Sequence, residues 1–392
     1  MSLKVALLGN MNNNFFALSR YLKDLNIDVK LFIFDNEFEH FNPSADSYNN
    51  DYEKGIIMLE WGDFYTFNTS LKEKVTQDLY SYNILIGCGT APAYMELIGR
   101  KLDIFIPYGA DLFYLPFFNR YYLRHPINCF NFMLYHRKGI KNCKNIMFDK
   151  TNEIFESTLD KLNIKSNRIA STVPMVYFPQ YTKNNIESFA QDSKIIKRVE
   201  LIRDSVEFLI IHNSRHCWKN CKEKISIKNN HYLFYALKKL IDSKNLNGKI
   251  KLITFEYGND YEASKTLSDS LGLNDYVEWF PLASRKELMG IINICDLVVG
   301  EFNLSWFTYG VVIEAMTLSK PIMHYRNDSL YENLYPMLNA RSIDEIEKQL
   351  NYALNNRDEL VQMGLDGNRW FKKYIVDSSL EKIIKIIGVG NE

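Results

Sequence analysis

The sequence has 392 residues, with 47 Lys and Arg against 47 Asp and Glu and a formal net charge of zero. Single hydrophobic cores stop growing near about 250 to 300 residues, so this length predicts two domains. The balanced charge excludes a chain-wide field of either sign, so a charged partner must be met by a local patch.

The apolar stretch near the N-terminus is too short for the core of a signal peptide. No apolar run approaches the roughly 20 residues that cross a bilayer. Six cysteines lie scattered at positions 88, 129, 143, 217, 221 and 295, which is typical of reduced thiols. We therefore expect a cytoplasmic protein without disulfides.

In the first half of the chain, short apolar runs that end in turn residues alternate with segments of helical spacing. The predicted strands are 4–10, 28–34, 83–89, 102–109 and 145–149. Segments such as 151–164 carry apolar residues at helical spacing and are predicted helices. This alternation favours a doubly wound, mainly parallel sheet.

A second series of the same kind begins after residue 205. Its predicted strands are 206–213, 249–258, 276–281, 296–302 and 320–326. The polar segment 179–194 between the two series is interpreted as a linker. We expect an α/β fold of two Rossmann-like domains, 1–188 and 189–376, whose strand ends face a central cleft. A last helix over 377–390 is expected to pack back on the first domain.

The segment 300–325, GEFNLSWFTYGVVIEAMTLSKPIMHY, places Glu314 within an otherwise apolar helix. Tyr309, Gly310 and Val311 stand at the predicted helix start, where free amides and the positive dipole end form an anion site. Gly310 lets the backbone approach a diphosphate closely. Glu314 lies one turn further into the helix. We expect its carboxylate to accept hydrogen bonds from the two adjacent hydroxyls of a ribose attached to that diphosphate. The alternative is that Glu314 only interacts favourably with its own helix N-terminus.

The run YGVVIEAMTLSKPIMHYR resembles the signature of glycosyltransferase family 4, retaining enzymes of GT-B type. The usual form is E-x7-E followed by A-M and G-K-P-V-I. Glu314 matches the second glutamate, whereas Trp306 occupies the position of the first. In the family that first carboxylate contacts the donor sugar. Either Glu301 substitutes for it, or Trp306 stacks on the donor, or both residues only pack the loop.

The resemblance extends to the stretch after the strand 206–213. The family places an arginine after this strand and a lysine at the start of the next helix, and both cations hold the donor diphosphate. Arg215 and Lys228 match these positions, and a guanidinium and an ammonium suit phosphate oxygens. The loop between them carries further lysines, so a solvated basic loop is the alternative.

The same stretch contains histidines and cysteines that invite a zinc interpretation. They are His212, His216, Cys217, Cys221 and His231. Their spacing matches no standard structural zinc site. We therefore expect neither a metal nor a resident cofactor.

Two loops of the first predicted domain complete the candidate site. Gly9 and Asn10 follow the first strand and resemble the family's glycine-rich loop at the reaction centre, with a simple turn as the alternative. Asp111 keeps the place of the aspartate in the family's H-G-x-D motif, although Tyr108 replaces the histidine. Asp111 is predicted to orient the acceptor hydroxyl or accept its proton, with a helix cap as the alternative.

In residues 116–144 aromatic side chains alternate with basic ones. This mixture suits peripheral contact with anionic headgroups at the inner face of the cell membrane, and it suits an amphipathic helix with a wet basic face equally well. No recognised nucleic-acid module accompanies the patch, so we expect no nucleic-acid partner.

The sequence as a whole predicts a metal-independent retaining glycosyltransferase of polysaccharide biosynthesis. It would move a sugar from a nucleotide-diphosphate donor to a hydroxyl of a glycan or lipid-linked acceptor. Two alternatives stay open on the same scaffold. One is a non-catalytic nucleotide-sugar-binding protein or partner subunit, and the other is a nucleotide-sugar 2-epimerase.

Overall fold

The computed structural model describes residues 3–34, 41–221, 224–244, 246, 248–304, 307 and 310–388. The chain divides into two units, Met1–Tyr177 together with Lys373–Glu392, and Phe178–Lys372. Within the described residues, no helix has both the length and the apolarity to span a bilayer.

The first unit is built on a seven-stranded sheet in the order β3-β2-β1-β4-β5-β6-β7. The strands are β1 (Lys4–Leu8), β2 (Asp28–Phe34), β3 (Ile56–Leu59), β4 (Ile84–Gly87), β5 (Ile104–Phe105), β6 (Asn145–Phe148) and β7 (Asn167–Ala170). Their pairing is parallel throughout. The order reverses direction between β1 and β4, which makes this pair the switch point of the sheet.

Helices cover this sheet because the inner strands are apolar on both faces. They are α1 (Asn14–Asp24), α2 (Lys72–Leu79), α3 (Ala91–Leu97), α4 (Ala110–Phe113), α5 (Pro126–Asn142) and α6 (Glu153–Lys161). One core cluster contains Trp61, Tyr94 and Phe132, and a second contains Phe15 and Phe16.

The second unit repeats this plan with a six-stranded sheet in the order β10-β9-β8-β11-β12-β13. The strands are β8 (Phe208–His212), β9 (Ile250–Phe255), β10 (Val277–Phe280), β11 (Leu297–Val299), β12 (Ile322–His324) and β13 (Leu338–Asn339). All these pairs are parallel too. The switch point of this sheet lies between β8 and β11.

The helices of the second unit follow its strands in alternation. They are α7 (Lys183–Ala190), α8 (Lys194–Asp204), α9 (His231–Ser243), α10 (Tyr261–Ser270), α11 (Arg285–Ile294), α12 (Gly310–Thr317), α13 (Ile343–Asn355) and α14 (Arg357–Phe371). The last helix, α15 (Ser378–Ile387), belongs to the first unit, where Ile383 and Ile387 join the core cluster of β1 and β2.

The interpretation of 179–194 as a linker is wrong. The hydroxyl of Thr182 accepts from the amide of Asn185 and caps α7, and Ile186 is buried. A capped helix with a buried apolar side chain is part of a folded unit. The expected boundary at 188/189 falls inside α7, whereas the division between the units lies before this helix.

Three strands were not predicted, namely β3, β7 and β13. All three lie at sheet edges. An edge strand is less buried than a central one, and Met58 in β3 is exposed. The segments of β7 (NRIA) and β13 (LN) lack the continuous apolar run that marks a buried strand, and the run of β3 (IIML) is only four residues long.

Helix α14 offers a test of the packing behind α12. A Cβ atom at Gly364 would collide with the backbone carbonyl of Ser319, while at Gly367 its nearest neighbour would be Met316 Cγ at 3.6 Å. We expect Gly364→Ala to lower the free energy of unfolding by about 1–3 kcal/mol. Gly367→Ala, one turn away in the same helix, should be neutral or raise it by about 0.5–1 kcal/mol.

Urea denaturation of the two variants and the parent checks this pair. Equal effects of the two substitutions would contradict the close approach of α14 to the backbone at Ser319.

Candidate functional site

The candidate site of the second unit lies at the switch point of its sheet. His212 at the end of β8 is in register with Val299 at the end of β11. The residues that follow each strand therefore emerge at the same edge, where such sheets bind ligands. Arg215 follows β8 and Glu301 follows β11, so both lie at this edge.

Lys228 and Glu301 form an ion pair at this edge. Both side chains are largely buried, and the backbone ties the pair to both strand ends. The amide of Lys228 donates to the carbonyl of Cys217 at 2.7 Å, and the amide of Phe302 donates to the carbonyl of Lys228 at 3.0 Å. Two of the predicted site residues are thus in direct contact.

Glu314 lies in α12 and is almost entirely buried. Its carboxylate forms an ion pair with Arg285 at 3.1 Å and accepts a hydrogen bond from Asn213 Nδ2 at 2.8 Å. An isolated buried charge costs several kcal/mol, and a paired, hydrogen-bonded one is tolerated. Arg285 and Asn213 supply these partners, so the protein itself stabilises this carboxylate in place.

The remaining predicted donor-site residues of the second unit surround these pairs. Arg215 is exposed and lies between Asn213, which contacts Glu314, and Cys217, which contacts Lys228. Gly310 begins α12, and Val311 is buried in its first turn. Trp306 and Tyr309 lie outside the described residues, so the alternatives for Trp306 stay open.

A buried polar network lies beside these pairs. The amide of Cys217 donates to Asn230 Oδ1 at 2.9 Å, so Asn230 Nδ2 donates to His212 Nε2, also at 2.9 Å. The Nδ1 proton of His212 then donates to Thr254 Oγ1, and the hydroxyl of Thr254 donates to His216 Nε2, each at 3.0 Å. This direction of donation requires neutral imidazoles.

Burial accounts for the protonation state of these two histidines. It lowers the pKa of His216 to about 4. It lowers the pKa of His212 well below the ordinary value, with the charges of His216 and Lys228 acting in the same direction. The neutral network joins the loop after β8 to the start of α9 and holds the backbone on either side of Arg215.

The turn after His216 is held by Asp260, whose carboxylate accepts from three backbone amides. The donors are Trp218, Lys219 and Asn220, at 2.7, 2.8 and 3.0 Å. These hydrogen bonds lower the pKa of Asp260 although burial opposes them.

Cys217 and Cys221 are joined as a disulfide across the same turn. The expectation of no disulfides is therefore wrong at this pair. The turn brings the two Cα atoms to 5.7 Å, a separation that disulfides span. The other four cysteines are free and buried. Both sulfur atoms and a carboxylate oxygen of Asp260 lie within 4.8 Å of one another, but the disulfide and the amides already engage them.

Gly9 and Asn10 follow β1 at the switch point of the first sheet. Gly9 has φ +97°, and a Cβ atom there would lie 2.7 Å from Cys88 Sγ. The Asn10 side chain is buried, accepts from the amide of Phe16 at 2.9 Å and donates to the carbonyl of Phe41 at 2.8 Å. Both residues shape this loop, and their role in the reaction stays a prediction.

Asp111 is fully buried in the first turn of α4. Its carboxylate accepts from the amides of Gly89, Tyr108 and Gly109 at 3.0 to 3.1 Å. Burial raises the pKa of Asp111 to about 7, against the effect of these hydrogen bonds. This geometry makes Asp111 an anchor of its own loop, and its proposed contact with an acceptor stays a prediction.

Sequence reasoning missed Arg285 and Asn213, the two partners of Glu314. Arg285 opens α11, where a cation faces the positive end of the helix dipole. A cation in that unfavourable position is a signal of a specific acidic partner. Asn213 gives no comparable signal, because a polar residue after a strand is ordinary turn chemistry.

The fold is similar to those of solved GT-B proteins. HepE of Anabaena, solved in complex with UDP, has a TM-score of 0.61 at 14% identity over 99% of this chain and 100% of that chain. The UDP-forming trehalose-phosphate synthase of Burkholderia xenovorans has the same TM-score at 10% identity, over 99% and 100% of the two chains. These likenesses show an α/β GT-B fold of two Rossmann-like units.

Two further proteins are also similar to this chain. A protein of Listeria monocytogenes described as a UDP-N-acetylglucosamine 2-epimerase has a TM-score of 0.54 at 12% identity, over 98% of this chain and 96% of that chain. The virion morphogenesis protein OPG132 of variola virus is 22% identical over 279 residues, which are 64% of this chain and 68% of that protein. The chain matches no protein-family model.

The ion pair of Arg285 and Glu314 predicts a strong coupling between the two residues. Arg285→Met leaves a buried carboxylate without its cation, and Glu314→Gln leaves a buried guanidinium without its anion. Each single substitution should lower the free energy of unfolding by about 3–5 kcal/mol. The double variant should lose much less than the sum, as a double-mutant cycle by urea denaturation will show. Additive losses would contradict a direct ion pair.

The histidines predict a pH dependence of stability. Burial lowers the pKa of four histidines of the second unit, to about 4 for His216 and His231, to about 3 for His324 and well below 6.5 for His212. Below pH 6.5 the unfolded chain therefore binds more protons than the native one. The second unit should lose about 1.4 kcal/mol per pH unit for each histidine as the pH falls from 6.5 towards 4.

The first unit should respond less to acid. Its buried His136 has a pKa lowered to about 4, but the pKa of Asp111 is raised to about 7, so Asp111 takes up a proton in the native state and offsets the loss. Hydrogen exchange of each unit at pH 7 and pH 5, corrected for intrinsic rates, checks the difference. Equal loss of protection in both units would contradict it.

Proposed function

We propose that this protein is a retaining, metal-independent glycosyltransferase, similar to family 4, that uses a nucleotide-diphosphate sugar as donor. One observation carries the proposal. At the switch point of the second sheet, Lys228 pairs with Glu301 and Arg285 pairs with Glu314, and the exposed Arg215 lies two residues after Asn213, another partner of Glu314. Each of these two carboxylates is met by its own cation, and Arg215 adds a further positive charge at the strand edge where doubly wound sheets hold a ligand.

The donor diphosphate is assigned to Arg215, Lys228 and the first amides of α12. Arg215 is exposed, so its guanidinium is available to a phosphate. The ammonium of Lys228, held by Glu301, supplies a fixed positive charge for the diphosphate. Gly310 permits close approach of the ligand to the start of α12.

Glu314 is assigned to the ribose. A carboxylate has about four lone-pair sites, and Asn213 and Arg285 approach it from the protein side. In this assignment two adjacent ribose hydroxyls donate to the same carboxylate. Arg285 then orients the carboxylate through their ion pair, which is a positioning role.

The catalytic step requires stabilisation of the departing diphosphate. Fixed cations that face the charge as it develops lower the barrier without a metal. Arg215 and Lys228 provide this charge, and retention proceeds by attack of the acceptor hydroxyl on the face that the diphosphate leaves. The departing phosphate takes the acceptor proton, so no carboxylate nucleophile is required.

The acceptor is proposed to be a hydroxyl of a glycan or a lipid-linked sugar, as in polysaccharide biosynthesis. Gly9 and Asn10 are assigned to the donor at the reaction centre, near where donor phosphate and acceptor meet, and Asp111 is assigned to the acceptor. Since the carboxylate of Asp111 is engaged by three amides, its proposed contribution is to hold the loop of Tyr108 and Gly109 in shape for the acceptor.

A second candidate is a non-catalytic nucleotide-sugar-binding protein on the same scaffold. It is favoured by the sequence match to OPG132, which is named for virion morphogenesis, and by Trp306 in place of the first motif glutamate. The likeness to the Listeria protein keeps a 2-epimerase as a third possibility. An epimerase converts the sugar of its donor, whereas a transferase releases the nucleoside diphosphate.

Incubation of the purified chain with a panel of nucleotide sugars separates these candidates. A transferase should slowly hydrolyse one donor and release its nucleoside diphosphate. Arg215→Ala should lower that rate about 10²-fold with a smaller change in donor Kd, because the contact strengthens as charge develops. Lys219→Ala, at an exposed position in the same loop, is the matched control and should keep the parent rate.

The other outcomes are equally informative. Thermal stabilisation by a donor without turnover would favour the binding protein, and a changed sugar still attached to nucleotide would favour the epimerase. If no nucleotide sugar stabilises the chain or is turned over, the proposal is wrong.

A further inference from the structure

Helix α5 has a buried face and an exposed face of different character. The buried side chains include Cys129, Phe132, Met133 and Ile140. The opposite face runs through Ile127, Phe130, Leu134, Lys138 and Lys141, which recur every three or four residues and are all exposed. The exposed face is therefore apolar along its first half and basic along its second half.

The apolar half is exposed to an extent that is unusual for a globular surface. Ile127, Phe130 and Leu134 are between 39% and 77% exposed. Leu123, in the turn that precedes the helix, is 66% exposed and extends the same surface. The neighbouring Tyr122 packs on Cys129 and Met133, so this turn is fixed against the helix. A contiguous apolar surface of this kind marks an interaction site.

The charged side chains in α5 and in the residues that flank it along the chain are all basic. Residues 112–148 contain six Lys and Arg and no Asp or Glu. Three carboxylates of neighbouring segments interact with residues of 112–148. Glu96 accepts from Asn142 Nδ2 at 2.7 Å, Asp103 pairs with Lys144 at 2.6 Å, and the charge of Asp63 adds to burial in raising the pKa of the Cys129 thiol. The local balance is therefore positive although the chain as a whole is neutral.

We propose that this face, formed by Leu123, Ile127, Phe130, Leu134, Lys138 and Lys141, docks the protein on an anionic lipid bilayer. The apolar half enters the boundary between headgroups and acyl chains, and the lysines contact lipid phosphates or carboxylates. Amphipathic helices with a basic end bind membranes in this way, by apolar burial plus electrostatic attraction.

Other occupants match the face less well. A second copy of the chain would set the lysines of each copy either against those of the other or against its apolar half, and neither arrangement gives them an opposite charge. Nucleic acid would use the lysines but leave the apolar half in water, whereas a bilayer satisfies both halves. The charge complementarity therefore selects the anionic bilayer.

This docking is argued from the α5 surface alone and does not require the proposed glycosyl transfer. If the proposed function also holds, the docking narrows its acceptor. It would bring the first unit to a surface where a lipid-linked acceptor resides, which narrows the acceptor class. If the chain turns over a donor but binds no vesicle, the docking fails and the transferase stands. If it binds vesicles but turns over no donor, the reverse holds.

The test is cosedimentation of the full chain with vesicles of phosphatidylcholine containing 30% phosphatidylserine, and with phosphatidylcholine alone. We expect binding to the anionic vesicles that weakens as salt is raised. The apolar variant Phe130→Ser with Leu134→Ser and the basic variant Lys138→Gln with Lys141→Gln should each weaken binding at least about tenfold.

Matched controls come from the second unit. Val361→Ser with Leu365→Ser replaces exposed apolar residues of α14, and Lys194→Gln with Lys197→Gln replaces exposed lysines of α8. Both should bind vesicles as the parent does. Because all these side chains are exposed, thermal melting should show every variant folded.

Three results would overturn the proposal. They are absence of vesicle binding by the parent, equal weakening by the control pairs, and self-association in sedimentation that the α5 variants abolish. The last result would identify a second copy of the chain as the occupant of this face.

Discussion

The buried carboxylate of Glu314 is the constraint on which the candidate site depends. A charge in an apolar helix survives only if a counter-charge and hydrogen-bond donors meet it. Arg285 comes from the helix after β10 and Asn213 from the loop after β8. One carboxylate therefore ties together three separate segments at one sheet edge. The ion pair of Lys228 and Glu301 does the same for the ends of β8 and β11.

These contacts form where they do because of strand order. Both sheets reverse direction beside their first strand, between β1 and β4 and between β8 and β11. At such a point the connections leave towards opposite faces and the strand ends are open to a ligand. The polar network of His212, Thr254 and His216 then fixes the loop that carries Arg215. Charge, hydrogen bonding and topology thus converge on one edge of the second unit.

The two units use their polar residues differently. In the first unit, the side chains of Asn10 and Asp111 form hydrogen bonds with backbone groups of the same unit, so they hold loops in shape. Its distinctive surface is instead the exposed face of α5, apolar at one end and basic at the other. In the second unit the charged side chains pair with one another beside an exposed arginine. In our proposals, the donor diphosphate and ribose fall to the second unit, and the acceptor loop and the docking face fall to the first.

The sequence by itself determined the α/β class, the two series of parallel strands and the segments that carry the site. Period and apolar runs are local properties, and internal strands such as β4 (ILIG) and β11 (LVV) consist of such runs. It did not determine the edge strands β3, β7 and β13, the helix over Lys183–Ala190, or the disulfide of Cys217 and Cys221. Only the tertiary structure decided that Arg285 is the partner of Glu314, 29 positions away along the chain. Such pairing depends on which strand ends become neighbours, and no local pattern encodes that.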